Sequence, residues 1–316
     1  MKHSFRHLLL PFFIVILFAG SCKPEKMDQP QTEMAVADED NYTDHDVSNG
    51  YEDVANDVEK ADNIDDRHRS DAYEAGQQEH QGIADASHRT LDNLLPAPIK
   101  DRPEQRLQRK GYNVSYNKGL RIPNWVQWTL TADHTYGRYK RKGQAFHEDE
   151  DVPSPRATHY DYMRSGYDRG HMCPSGDNKW DPKAQEESFL LTNICPQNHN
   201  LNTGDWNDLE IQCRQWAKRY GKIYIVCGPV LYNQKHKTIG RNHVTVPEAF
   251  FKVVLRLGKN PACIGFIYRN KGGHRPQGDY VNTLKEVERI TKLHFFNGLG
   301  ADIRAQIENH ADINDW

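Results

Sequence analysis

Tyr167-Asp168-Arg169-Gly170-His171-Met172-Cys173-Pro174 and, downstream, Thr192-Asn193-Ile194-Cys195-Pro196-Gln197-Asn198-His199-Asn200-Leu201-Asn202-Thr203-Gly204-Asp205-Trp206 are two short segments in which chemistry-bearing side chains are dense. From Trp206 onward, Leu209, Cys213, Trp216, Ala217 and Tyr220 recur at three- and four-residue intervals, the stripe of an amphipathic helix. On extended backbone Arg169 and His171 point to one face, and Gly170 between them leaves room for a second backbone or a bound molecule. A lone His is ordinarily a core or solvated residue. A fixed cation beside it suits an anionic substrate: the guanidinium holds phosphate oxygens, and its charge helps keep the imidazole neutral and able to accept a proton. Asn202 sits just before the helix that begins near Asp205, where its amide oxygen is a hard neutral donor of the kind Mg2+ accepts while keeping most of its waters. Glu210 and Arg214 lie four apart at the edge of the apolar stripe, a surface ion pair of little energetic value unless the cleft is beside it.

Outward from these segments, short apolar or β-branched runs bounded by Gly, Pro or Asn predict strands over Trp125 to Leu130, Phe189 to Cys195, Ile223 to Val230, Phe250 to Leu257 and Ala262 to Tyr268. Thr283-Leu284-Lys285-Glu286 has a capping-box pattern, and Val287, Ile290 and Leu293 follow at helical intervals. Strands and helices do not alternate regularly. The expected fold is therefore α+β, a largely antiparallel central sheet flanked by helices.

The net charge of −3 over 316 residues is a sum over segments of opposite sign. Residues 23 to 105 carry 8 Lys+Arg against 22 Asp+Glu, few aromatics and no apolar period. Such a composition buries too little surface to offset its ordering entropy, and is expected to be an acidic disordered linker. An acidic segment that folds over the basic part in place of nucleic acid is the alternative. Residues 106 to 316 carry 31 basic and 22 acidic residues, a net of +9, and form the expected folded domain. Lys2, Arg6, the apolar run Leu8 to Phe18 and the small residues before Cys22 read as a signal peptide over residues 1 to 22, with Cys22 as the site of a lipid anchor. That reading places the mature chain in the cell envelope, periplasmic or surface-exposed, or secreted. The Trp316 end is expected to be exposed.

Cys173, Cys195, Cys213, Cys227 and Cys263 remain once Cys22 is set aside, an odd number for an oxidising compartment. One or two disulfides with a leftover thiol is the expectation. His171, Cys173, Cys195 and His199 offer an alternative, a structural zinc site, although they lack the usual Cys-x-x-Cys knuckle.

Asp-Arg-Gly-His at 168 to 171, Thr-Asn-Ile-Cys-Pro-Gln at 192 to 197, Leu-Asn-x-Gly-x-Trp at 201 to 206, and Leu-Glu at 209 to 210 with Arg214 together resemble the DNA/RNA non-specific endonuclease family. The resemblance covers roughly residues 110 to 300, including Cys-Gly-Pro-Val at 227 to 230 and the segment Leu293 to Leu299. It implies a ββα-metal (His-Me) finger and hydrolysis of DNA and RNA phosphodiester bonds leaving 5′-phosphate ends. It further implies His171 as general base, Asn202 as the direct ligand of Mg2+, with Mn2+ as the alternative ion, and Glu210 holding a metal-bound water. Arg169 and Arg214 match phosphate-contacting arginines, Asn193 and Gln197 match polar residues that bind substrate or orient the site, and Arg141 corresponds loosely to a further basic residue. Family members occur as monomers and as homodimers. A basic envelope protein that binds nucleic acid without cleaving it is the rival reading.

Overall fold

The computed structural model describes residues 94–316. The expected signal peptide, the Cys22 anchor and nearly all of the acidic segment lie outside the described residues. The strands, in chain order, are β1 (Gln105–Gln108), β2 (Asn113–Asn117), β3 (Ile122–Thr131), β4 (Asp168–His171), β5 (Ile194–Gln197), β6 (Lys222–Val230), β7 (Thr238–Ile239), β8 (Val244–Thr245), β9 (Ala249–Arg256), β10 (Ala262–Arg269) and β11 (Val281–Asn282). The helices are α1 (His159–Tyr162), α2 (Pro182–Glu187), α3 (His199–Thr203), α4 (Asp205–Tyr220), α5 (Leu284–Thr291) and α6 (Ala301–Ile307).

Seven strands form one antiparallel sheet in the order β1-β2-β3-β6-β9-β10-β11, and β4-β5 and β7-β8 are separate two-stranded pairs. The mixed α+β architecture with a large antiparallel sheet agrees with the expectation. Period-two alternation divides β9 between two cores: Phe250 and Val254 pack with Trp128, Trp206 and Trp216, whereas Phe251, Val253 and Leu255 pack with Trp125, Leu284 and Phe295. One face of the sheet thus carries α4 and the β4-β5 pair, and the other carries α5 and α6.

Helix α4 buries Trp206, Leu209, Cys213, Trp216 and Ala217 along one stripe. Asp205 and Asp208 occupy its first turn and Lys218 and Arg219 its last, matching the helix dipole. Gly221 stops it at φ +78, where any other residue would be strained.

Several expectations change. Folded structure begins upstream of residue 106, because Leu94 is buried and Ala97 N donates to His294 O at 2.8 Å while Asn297 N donates to Leu95 O at 3.1 Å. The run Phe189 to Cys195 contains a 3-10 turn at Leu191–Asn193, and the strand starts only at Ile194. At α5 only half of the capping box forms: Thr283 Oγ1 accepts from Glu286 N at 3.2 Å, whereas the Glu286 carboxylate turns to Arg289. Trp316 is buried, its ring 4.8 Å from that of Trp216 and beneath the Arg256 guanidinium at 5.3 Å, because Arg219 Nη1 holds its carbonyl at 2.8 Å. All five cysteines among the described residues are buried free thiols, so the expected disulfides are absent there.

Candidate active site

The antiparallel pair β4-β5 puts Asp168 opposite Gln197 and His171 opposite Ile194. Asn198 leaves β5 and caps α3 by accepting from Leu201 N at 3.3 Å, and α4 follows after Gly204. Two strands and a helix are clamped together: Trp206 Nε1 donates to His171 O at 3.3 Å. Buried Asn193 locks the residues after His171, accepting from Cys173 N at 2.9 Å and donating to Cys173 O and Ser188 O at 2.8 Å.

His171 is 6% exposed. Its ring lies 5.2 Å from Phe146 and 5.1 Å from Phe189, and its Nε2 is buried with no hydrogen-bond partner. Burial pushes the imidazole pKa well below its usual value, and the Arg141 charge pushes it further the same way. The sequence reading assigned that electrostatic role to Arg169. The structure gives it to Arg141, whose guanidinium lies over the same two rings, 5.9 Å from Phe146 and 5.6 Å from Phe189. Arg169 is braced separately, over Phe146 at 5.5 Å and Tyr162 at 5.8 Å, with Nη2 at 3.1 Å from His159 Nδ1.

Asn202 lies just ahead of α4, which begins at Asp205 as expected, and is itself the fourth residue of the short helix α3. Its Nδ2 donates to Asp168 Oδ2 at 2.9 Å, and the same oxygen meets His199 Nδ1 at 2.9 Å. With its amide nitrogen engaged, Oδ1 is the atom left for a ligand. His171 and Asn202 are thereby attached to one four-residue strand, the first as its last residue and the second through the carboxylate of its first.

The surface ion pair that i,i+4 spacing alone would suggest for Glu210 and Arg214 is not the one Arg214 makes. Arg214 Nη1 donates instead to Asp177 Oδ1 at 3.1 Å, and Trp128 Nε1 donates to the other Asp177 oxygen at 3.0 Å. Burial raises the Glu210 pKa, opposed by the charges of Lys252, Arg214 and Arg141. The Arg141 charge thus bears on both carboxyl and imidazole, lowering the pKa of each.

Asn193 and Gln197 are 0% exposed and present no surface to a substrate, so of their two expected roles burial leaves the orienting one. Gln197 fills the space beside Gly170, where any Cβ would collide with it, so the gap expected for a bound molecule is taken by protein. The zinc alternative also fails: among the described residues no group of three or more His, Cys, Asp or Glu could hold a metal ion. His199 is exposed and turned to Asp168, while Cys173 accepts from Asn178 Nδ2 at 3.3 Å. One neutral amide oxygen and one carboxylate, those of Asn202 and Glu210, are by their chemistry donors for a hard, largely hydrated divalent ion. A cavity of about 880 Å³ lined by Arg109, Asp149, Asp151, Arg156, Lys183 and Glu187 contains none of these residues, and its Arg109 is already paired with Asp149 and Asp151.

Five site residues are not marked as such by the sequence. Asp168 was quoted without a role, Phe146 and Phe189 enclose His171, and Asp177 anchors Arg214. Lys252 is also fully buried, its ammonium 4.4 Å from the Trp206 ring and 5.5 Å from that of Trp128 with no hydrogen bond. A single charge in the middle of the run Phe250 to Leu257 was its only signal.

Residues 97–302 match the model of the DNA/RNA non-specific endonuclease family. The mitochondrial nuclease EXOG of Xenopus laevis is 35% identical over 205 residues, 60% of this chain and 57% of that protein. The mitochondrial endonuclease G of Bos taurus is 36% identical over 157 residues, 46% of this chain and 52% of that protein. The chain thus spans little more than half the length of these curated relatives. A solved complex titled for EndoG, EndoGI and the mechanism of EndoG inhibition aligns with TM-score 0.63 and 28% identity, covering 70% of this chain and 96% of that one. These names correct the expected location: the relatives are mitochondrial nucleases, not envelope or secreted proteins.

Proposed function

Because the chain belongs to the DNA/RNA non-specific endonuclease family, we propose that it hydrolyses phosphodiester bonds of DNA and RNA with His171 as general base. The observation that carries this reading is the setting of His171: a buried imidazole packed against Phe146 and Phe189, its Nε2 without a partner, with Arg141 and Arg169 stacked on those same rings. Neutral His171 takes a proton from the attacking water, while Arg169 and Arg214 hold the phosphate oxygens as charge grows on them. Asn202 and Glu210 would hold the divalent ion, Mg2+ on the chemistry of its donors, the second through a water. When bound, that ion stabilises charge on the phosphate and the departing 3′ oxygen, leaving a 5′-phosphate end.

Breadth of substrate follows from the charge distribution. Phosphate contacts carry no sequence information, and a net of +9 over residues 106 to 316 supplies the attraction without a base-reading motif. The test is incubation of the full chain with supercoiled plasmid and with RNA, in Mg2+ and in chelator. Cleavage of both, dependent on Mg2+ and weaker as salt rises, is expected. Binding of both with no cleavage in Mg2+ or Mn2+ overturns the enzyme in favour of a nucleic-acid-binding protein.

A further inference from the structure

The one-turn helix α1 buries one tyrosine and exposes another beside the same histidine, the rings of Tyr160 and His159 lying 5.9 Å apart edge to face. Inward, Tyr162 is 3% exposed with its ring 5.8 Å from the Arg169 guanidinium, and the neighbouring His159 ring nitrogen lies 3.1 Å from Arg169 Nη2. Outward stands Tyr160, 79% exposed, the most exposed of the large hydrophobic side chains among the described residues. Its base is stiff. Asp161 is buried and accepts from Thr158 N at 2.8 Å, Thr158 Oγ1 at 2.9 Å, Asn242 N at 3.0 Å and Asn242 Nδ2 at 2.8 Å. Gly240, at φ +65, packs where a Cβ would run into Asp161.

We propose that Tyr160 is a stacking platform for an unpaired nucleobase beside the phosphate held by Arg169, which makes this chain favour single-stranded stretches over intact duplex. The proposal rests on the nuclease reading above and names the strand form that the same site takes. A tyrosine on a fixed backbone has only two side-chain torsions to order, so it offers a large contact area at small entropic cost. Every base has a π-face, so stacking adds affinity without reading sequence. Bases inside a duplex are already stacked on their neighbours and are not available to a ring presented from outside the helix. Met163, three residues further on, is also exposed.

The test measures binding of the full chain, in chelator so that nothing is cut, to a short labelled single strand, to the same sequence as a hairpin duplex and to a strand of abasic sites. Tyr160→Ala is expected to weaken single-strand binding by about tenfold, in the range measured for loss of one base-stacking ring. The loss on duplex is expected to be much smaller, Tyr160→Phe is expected to retain the affinity, and the abasic strand is expected not to distinguish Tyr160→Ala from the unchanged chain. Equal losses on single strand and duplex, no loss on the single strand, or a Phe variant as weak as the Ala variant each overturn the proposal. A chain that cleaves nucleic acid but binds single strands equally with and without the ring loses the stacking platform alone, whereas a chain that neither binds nor cleaves loses the nuclease reading with it.

Discussion

The Asn202 carboxamide is oriented by Asp168, whose Oδ2 accepts its Nδ2 hydrogen at 2.9 Å across the junction of α3 and β4. An amide rotates freely in water, and its oxygen is a useful metal donor only if the nitrogen is turned away. Asp168 provides that constraint and takes His199 Nδ1 at 2.9 Å with the same oxygen.

Removing the constraint weakens the site without unfolding the chain. Asp168→Ala is expected to lower cleavage by about 10- to 100-fold, the usual effect of losing a residue that orients a ligand, and to raise the Mg2+ concentration needed for half-maximal rate. A titration of rate against Mg2+ checks this. A lower rate with an unmoved Mg2+ midpoint contradicts the orienting role.

The pH dependence has a defined sign. Burial, and then Arg141, lower the His171 pKa, so the base stays neutral at and above its ordinary value of about 6.5 and is lost only at lower pH. The stability that comes from burying a neutral ring is present above that value and falls as pH drops below it towards the folded pKa. Arg141→Met removes a like charge and is expected to move the acid limb of kcat/KM upward, though not as far as pH 6.5, because burial remains the larger cause. A downward movement contradicts the assignment of Arg141.

Arg214 has a structural partner as well as a proposed phosphate. Its loss leaves the buried Asp177 carboxylate with the Trp128 indole N–H at 3.0 Å. Arg214→Ala is expected to cost roughly 2 to 3 kcal/mol, below the roughly 3 to 5 kcal/mol of a fully buried broken pair because the guanidinium is partly exposed. Urea unfolding measures it, and Arg214→Lys should recover part of the loss. A change below about 0.5 kcal/mol, the range of an ordinary surface substitution, contradicts the pairing.

The thiols make a separate check. Cys173, Cys195, Cys213, Cys227 and Cys263 are buried and unbridged, and burial raises the pKa of each, Cys213 and Cys227 to about 12. Native protein without reductant is expected to leave these five unreactive to a thiol reagent, and denatured protein to titrate all of them. Fewer thiols after denaturation without reductant indicates a disulfide and contradicts the structure.

The legible parts of this chain were those with a local period or a motif. Short apolar and β-branched runs marked β3, β9 and β10, the three-and-four spacing marked α4, and the ordered segments around Asp168 and Asn193 placed β4 and β5. The remaining features depend on contacts distant in sequence. The choice of Asp177 over Glu210 as the partner of Arg214 is made by a segment 37 residues away, which i,i+4 spacing cannot foresee. The neutralising cation on His171 comes from Arg141 on an upstream loop, because the aromatic pair Phe146 and Phe189 brings both to one place. Gln197 was assigned to the site through the resemblance alone, and strand pairing turns it into the space left by Gly170.

The most direct test compares single-turnover cleavage of one oligonucleotide by the unchanged chain and by His171→Ala, at saturating Mg2+, with circular dichroism and urea midpoints confirming that both are folded. General-base catalysis is worth about 100- to 10,000-fold, so a fall of at least 100-fold in the chemical step is expected. A folded His171→Ala chain that cleaves within a few-fold of the original rate contradicts the account.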